Sequence, residues 1–185
     1  MDSWVWIVIV VAAIMLLAAV WAGMRSRRSG QLKEGFGPEY DRTVDEAGSR
    51  RKAESELADR QKRHEELDVR PLSPAARDRY LDQWRDTQAR FVDDPGSAVG
   101  DADRLVQEVM RERGYPTDDF EQRAADISVE HPQLVENYRS AHATAEAHER
   151  GDATTEELRQ SLVHYRVVFE DLLETGSPER MEAQR

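Results

Sequence analysis

From Trp4 to Met24 the chain reads WVWIVIVVAAIMLLAAVWAGM without a charged side chain, and beyond it the apolar positions fall into stripes three and four residues apart. Such stripes mark helices buried on one face. Ser73 is placed as an N-cap with Pro74 at the first helical position, and Tyr80, Trp84, Gln88 and Phe91 follow as a stripe backed by Ala76 and Leu81. Asp93-Asp94-Pro95-Gly96 reads as a turn. A second helix is expected from Ser97, with Val99, Ala102, Leu105, Val106, Val109 and Met110 on one face and Gly114 as its stop. Thr117 is expected to cap a short helix through Phe120, Ala124 and Ile127. His131-Pro132 opens another, with Val135, Tyr138, Ala141 and Ala145 inward until Gly151. Thr154 and Glu157 form a T-x-x-E capping box ahead of Leu158, Leu162, Tyr165, Phe169 and Leu172. No stretch alternates with the period of a strand. The fold predicted is all-α, a compact bundle of about five helices over residues 71–176, followed by a flexible tail at 177–185.

The apolar stretch has a different meaning. Its length, at ~1.5 Å per residue, gives a helix of about 31 Å, which matches a hydrocarbon core of ~30 Å. A cleavable leader would have a basic start, a shorter apolar region and a small-x-small cleavage site. Here Asp2 follows Met1, and the best candidate site, Val20-Trp21-Ala22, puts an indole between the small positions. Residues 1–28 are therefore read as a retained transmembrane anchor. Trp4, Trp6 and Trp21 sit at its two ends, where indole rings favour the interface, and Arg25, Arg27 and Arg28 form a basic flank. The positive-inside rule places the N-terminus outside and the bulk of the chain in the cytoplasm, at the plasma (inner) membrane of a bacterium. An exported, extracytoplasmic protein is the alternative.

Residues 29–70 are polar nearly all round. Ser29 and Gly30 are expected to break the helix, Gly35 and Gly37 to form a hinge, and Pro38 to start a new helix. Charges at i,i+4, among them Glu46 with Arg50 and Asp59 with Arg63, would hold a solvated charged stalk helix, ended by Pro71 and Pro74. If straight, about 30 residues would span roughly 45 Å.

Charge narrows the partners. Of a formal net charge of -11, residues 71–176 hold nearly all the excess, with 12 basic against 23 acidic side chains. Nucleic acid phosphates and anionic lipid head groups would repel such a domain. A protein partner suits it better, and the membrane is met through the N-terminal helix. The chain contains no cysteine, which removes disulfides and thiolate metal sites.

The histidines, His64, His131, His142, His148 and His164, give no recognised catalytic pattern. None stands three residues after a glutamate, as a di-iron bundle requires, and neither H-E-x-x-H nor G-x-S-x-G occurs. No catalytic residue, cofactor or metal is predicted. One polar site is conceivable, where Tyr138 and His142, one turn apart, meet His164 across a helical interface. The favoured reading is that His142 and His164 are half-buried packing residues with one satisfied ring nitrogen.

Gly37-Pro38-Glu39-Tyr40-Asp41-Arg42-Thr43-Val44, Arg70-Pro71-Leu72-Ser73-Pro74, Phe91-Val92-Asp93, Arg113-Gly114-Tyr115-Pro116 and Val163-His164-Tyr165-Arg166 together carry a resemblance. The combination resembles a group of uncharacterised bacterial proteins, often actinobacterial, labelled as membrane or secreted proteins. The resemblance runs from about Gly35 to Leu173 and implies no activity or catalytic residues. The function expected is a non-catalytic protein-protein interaction or scaffold module on a membrane anchor. Alternatives are an exported envelope structural or stress protein and a small-ligand or metal-binding helical domain.

Overall fold

The computed structural model describes Trp4, Met15, Leu16 and residues 27–174. Every regular element in these residues is helical, and no strand occurs among them. Residues 27–36 form α1. Then follow α2 (Pro38–Ala47), α3 (Arg50–Glu65), α4 (Pro74–Arg90), α5 (Pro95–Arg113), α6 (Phe120–Glu130), a 3-10 turn (Pro132–Leu134), α7 (Val135–Glu149) and α8 (Thr155–Glu174). The chain divides into two compact units, Met1–Ala58 and Asp59–Arg185, with the division inside α3.

Among the described residues no helix is long and apolar enough to cross a membrane. The apolar stretch itself falls outside them apart from Trp4, Met15 and Leu16, which are helical and exposed. Trp6, Trp21 and Arg25 also lie outside the described residues, as does the expected tail. Arg27 and Arg28 are helical and exposed at the start of α1.

In the first unit, residues 29–58 do not form a straight solvated rod. Ser29 and Gly30 lie within α1 instead of breaking it. The chain turns at Gly37 and Gly48, with φ of 48° and 65°, a region that suits glycine. Leu32, Phe36, Tyr40, Ala53 and Leu57 are all buried. Their spacing of four is sparse, so the segment reads as polar, yet a few large side chains suffice for three short helices. A polar cluster joins the three: the Glu54 carboxylate accepts from Ser29 Oγ, from Tyr40 Oη at 3.0 Å and from Arg50 Nε at 3.0 Å. Arg50 also donates to Ser29 Oγ at 2.9 Å. These bonds hold Glu54 below the usual carboxylate range, Ser29 contributing most, against the opposing effect of burial. Arg50 thus pairs with Glu54, while Glu46 accepts from Arg42 at 2.6 Å and Arg63 faces Asp126 at 3.5 Å.

The second unit is the expected bundle. α8 packs along both α5 and α7, and α4 packs along α5. Tyr80, Trp84, Val106, Met110, Tyr138, Tyr165 and Phe169 belong to one continuous core, in which Trp84 stacks on Phe169 at a centroid distance of 4.7 Å. Burying such aromatic rings contributes more than any other residue type to a small core.

Helix ends follow capping chemistry. Ser73 Oγ accepts from Ala76 N at 3.2 Å, and Thr154 with Glu157 forms the reciprocal box, Glu157 Oε2 accepting from Thr154 N at 2.7 Å. Two starts differ from expectation. α5 begins at Pro95 because Asp94 Oδ1 accepts from Ser97 N, so Ser97 is the third helical residue. α6 is capped by Asp119, whose side chain accepts from Gln122 N at 2.9 Å, and Thr117 lies outside the helix. On α4 the inward position is Thr87, its hydroxyl satisfied by Gln83 O at 3.0 Å, while Gln88 is exposed.

Gly114 ends α5 at φ 100°, and a Cβ there would lie 2.3 Å from the Asp68 carbonyl oxygen. Arg70 N donates to Arg113 O at 2.9 Å beside it, so backbone meets backbone at this corner. Gly114→Ala is expected to destabilise by about 2 kcal/mol or more, through both the unfavourable φ and the clash. Gly100→Ala, in the exposed interior of α5 with nothing near its Cβ, is expected to be neutral or stabilising by up to about 1 kcal/mol. Equal denaturant midpoints for the two variants would refute this account of the corner.

Candidate functional site

Tyr138 and His142 lie one turn apart on α7, and the bundle brings them to Asp103 of α5 and Tyr165 of α8. Tyr138 is fully buried, and its hydroxyl accepts from Arg123 Nε at 2.9 Å. Arg123 in turn donates from Nη1 to Thr117 O at 2.9 Å, which fixes the guanidinium. Tyr165 donates to Asp103 Oδ1 at 2.9 Å, and Gln107 Nε2 donates to Asp103 Oδ2 at 2.6 Å. His142 stacks face to face with Phe120 at 3.7 Å, with Nδ1 at 3.9 Å from Asp103 Oδ1 and Nε2 at 3.5 Å from Glu146. The third expected member goes elsewhere. His164 Nδ1 meets Asn137 Oδ1 at 2.7 Å, a separate contact between α8 and α7.

The chemistry open to this cluster is limited by burial. Burial pushes the Tyr138 phenol up to about 12, although Arg123 pulls the other way. Tyr165 is raised further, by burial first and by the Asp103 charge next. Both remain phenols at ordinary pH and act as donors or acceptors rather than as bases. Nearby hydroxyls are committed to backbone: Ser161 Oγ to Ala141 O at 3.0 Å and Thr144 Oγ1 to Ser140 O at 3.1 Å. Among the described residues no group of three or more His, Cys, Asp or Glu side chains is arranged to hold a metal ion.

A second cluster, which sequence patterns did not reveal, surrounds Glu130 at the end of α6. Tyr115 Oη donates to its Oε2, Arg113 Nη2 lies 3.6 Å and His131 Nε2 3.5 Å from the same oxygen, and His64 Nε2 lies 3.6 Å from Oε1. His131, only 3% exposed, contacts Asp171 of α8 through Nδ1. Arg113, 2% exposed, also donates to Leu172 O at 3.2 Å. Beyond them Asp126 is fully buried and accepts from Gln122 Nε2 at 2.8 Å. His131 holds Glu130 at about 2, well below the usual carboxylate range, with burial opposing and Tyr115 adding to the effect. Burial alone would push His131 down, but Asp171 and Glu130 together outweigh it and the imidazole is raised. Burial raises the Tyr115 phenol too. Two signals in the sequence point here in hindsight. His131 stands directly before a proline at a helix junction, and Asp171 comes three residues after the buried Val168.

Tyr165→Phe is expected to cost about 1.5 kcal/mol, because a bond to a charged acceptor is lost from a buried site. His164→Ala, at a half-buried position, is expected to cost less than about 1 kcal/mol. Urea denaturation of the two variants checks the order; a larger loss at His164 would mean that it, not Tyr165, anchors the interface. No family model, curated protein or solved structure matches the chain.

Proposed function

We propose that the chain is a single-pass membrane protein whose acidic helical bundle docks a protein partner. One observation carries the anchor: Trp4, Met15 and Leu16 are helical yet 63%, 62% and 67% exposed. Apolar side chains left in water forgo ~25 cal/mol for every Å² they could bury, and helical residues of this kind are at home in lipid. Exposed Arg27 and Arg28 follow at once, which favours a cytoplasmic bundle.

The bundle's role as a docking module rests on charge. An excess of eleven acidic groups over residues 71–176 attracts basic surfaces and speeds their encounter. The two polar clusters lend themselves to structure rather than to turnover, since their hydroxyls, phenols and guanidinium groups are engaged with one another or with backbone.

Full-length protein is expected to resist alkaline carbonate extraction from membranes. Met15→Arg with Leu16→Arg, each costing ~2.5–3.5 kcal/mol near the middle of a span, should release it. A reporter fused after Arg185 is expected to report a cytoplasmic C-terminus. From native membranes, pull-down should recover a basic partner whose yield falls as salt is raised from low to high. Extraction of the unaltered chain would overturn the anchor, an external reporter the orientation, and recovery of no specific or salt-sensitive partner the docking role.

A further inference from the structure

Around the Glu130 carboxylate stand more donors than it can use. We propose that these donors form a binding site for a phosphate group, and that Glu130 is an internal plug which such a ligand displaces.

Four side chains from separate parts of the second unit face this one carboxylate. Tyr115 Oη donates to Oε2, Arg113 Nη2 and His131 Nε2 lie 3.6 and 3.5 Å from the same atom, and His64 Nε2 lies 3.6 Å from Oε1. The backbone sets this convergence. Arg70 N donates to Arg113 O at 2.9 Å, which holds the segment after α3 against the end of α5, and the His64 and Tyr115 rings meet with centroids 6.0 Å apart. His131 is fixed from the other side, its Nδ1 on Asp171, which leaves Nε2 for Glu130.

A carboxylate oxygen has two lone pairs, yet Oε2 faces three donors. Only the Tyr115 contact is a hydrogen bond, because the others exceed the ~2.7–3.2 Å that an N–H···O bond takes. His131 Nε2, His64 Nε2 and also Arg113 Nε have no hydrogen-bond partner, although His131 and Arg113 are only 3% and 2% exposed. Buried donors left in this way are costly. A tetrahedral oxyanion offers up to four oxygens in place of two, and donors standing back at 3.5–3.6 Å leave room for them.

Exposure and charge agree with displacement. Glu130 is itself exposed, so its carboxylate turns out into water without paying for burial. What it leaves behind is positive: the Arg113 guanidinium and the His131 imidazole, which its carboxylate neighbours raise against the effect of burial. Asp171 sits on the other ring nitrogen, and Asp126 is engaged by Arg63 and Gln122. Burial raises the Tyr115 phenol, which keeps it a donor. Guanidinium and imidazolium donors suit phosphate oxygens, since charge-assisted bonds are about twice as strong as neutral ones. The acidic remainder of the bundle repels nucleic acid and anionic lipid, so the ligand is small: the free ion or a small monoester.

Titration calorimetry of the full-length protein in detergent, at constant pH and ionic strength, tests this with inorganic phosphate. Millimolar phosphate is expected to bind the unaltered protein. Glu130→Ala is expected to bind about tenfold tighter, because removing the plug raises the fraction of open sites. If that variant fails to fold, Glu130→Gln, which keeps the size and drops the charge, should also bind tighter. His64→Ala, at a half-buried position, should weaken binding about tenfold through the loss of one bond to a charged group. Acetate should bind more weakly than phosphate. Glycerol phosphate is the second arm: binding as tight as that of the free ion assigns the site to a phosphorylated small molecule, and binding of the free ion alone assigns it to phosphate itself, either of which upholds the site. No binding by the unaltered protein, unchanged affinity without the Glu130 charge, unchanged affinity in His64→Ala, or acetate matching phosphate would each overturn it.

Discussion

The second unit depends on one constraint, the burial of α8 on two helices at once. Leu158, Tyr165, Val168, Phe169 and Leu172 are all buried on it, and it packs along both α5 and α7, which also touch each other. A chain with 34% charged residues has few apolar side chains to spare. Placing Tyr165, Phe169 and Leu172 on one helix, against Trp84, Met110 and Tyr138 from three others, gives a single core instead of several weak ones. The Trp84 and Phe169 stack extends that core to α4, so four helices share what α8 organises.

Charge then has to be accommodated around this core, and it is done at the helix ends. Arg113, Glu130, His131 and Asp171 lie where α5 ends, α6 ends and α8 nears its C-terminus. Helix termini leave carbonyl and amide groups without partners, so a guanidinium such as Arg113 finds an acceptor in Leu172 O as well as in a carboxylate. Buried ion pairs of this kind add little to stability against an apolar alternative, but breaking one by removing a partner is expensive. Their effect is to fix one arrangement of the corner.

The bundle was largely legible in the sequence. Stripes at three and four, a serine before proline, a T-x-x-E box and a glycine after α5 are local signals, and Ser73, Gly114, Thr154 and Glu157 do what those signals state. What was hidden depends on partners remote in sequence. His131 and Asp171 are forty residues apart, and nothing in periodicity distinguishes an outward carboxylate from one held against an imidazole. Likewise Ser29 meets Glu54 across 25 residues, so a segment that looked like a solvated stalk is folded on itself. Of the expected polar site, Tyr138 and His142 were placed together by their spacing on one helix. His164 was not, because its register on α8 turns it to Asn137.

Both units place a carboxylate among donors, but in opposite settings. Glu54 is ringed by Ser29, Tyr40 and Arg50, and the arginine is largely exposed, so water can replace its share of the bonds. Glu130 is itself exposed, but three of its neighbours, Tyr115, Arg113 and His131, are buried, and only half-buried His64 lies on its other oxygen, so water reaches the carboxylate more readily than it reaches those neighbours. The same residue type therefore meets largely exposed Arg50 in the first unit and mostly buried neighbours in the second.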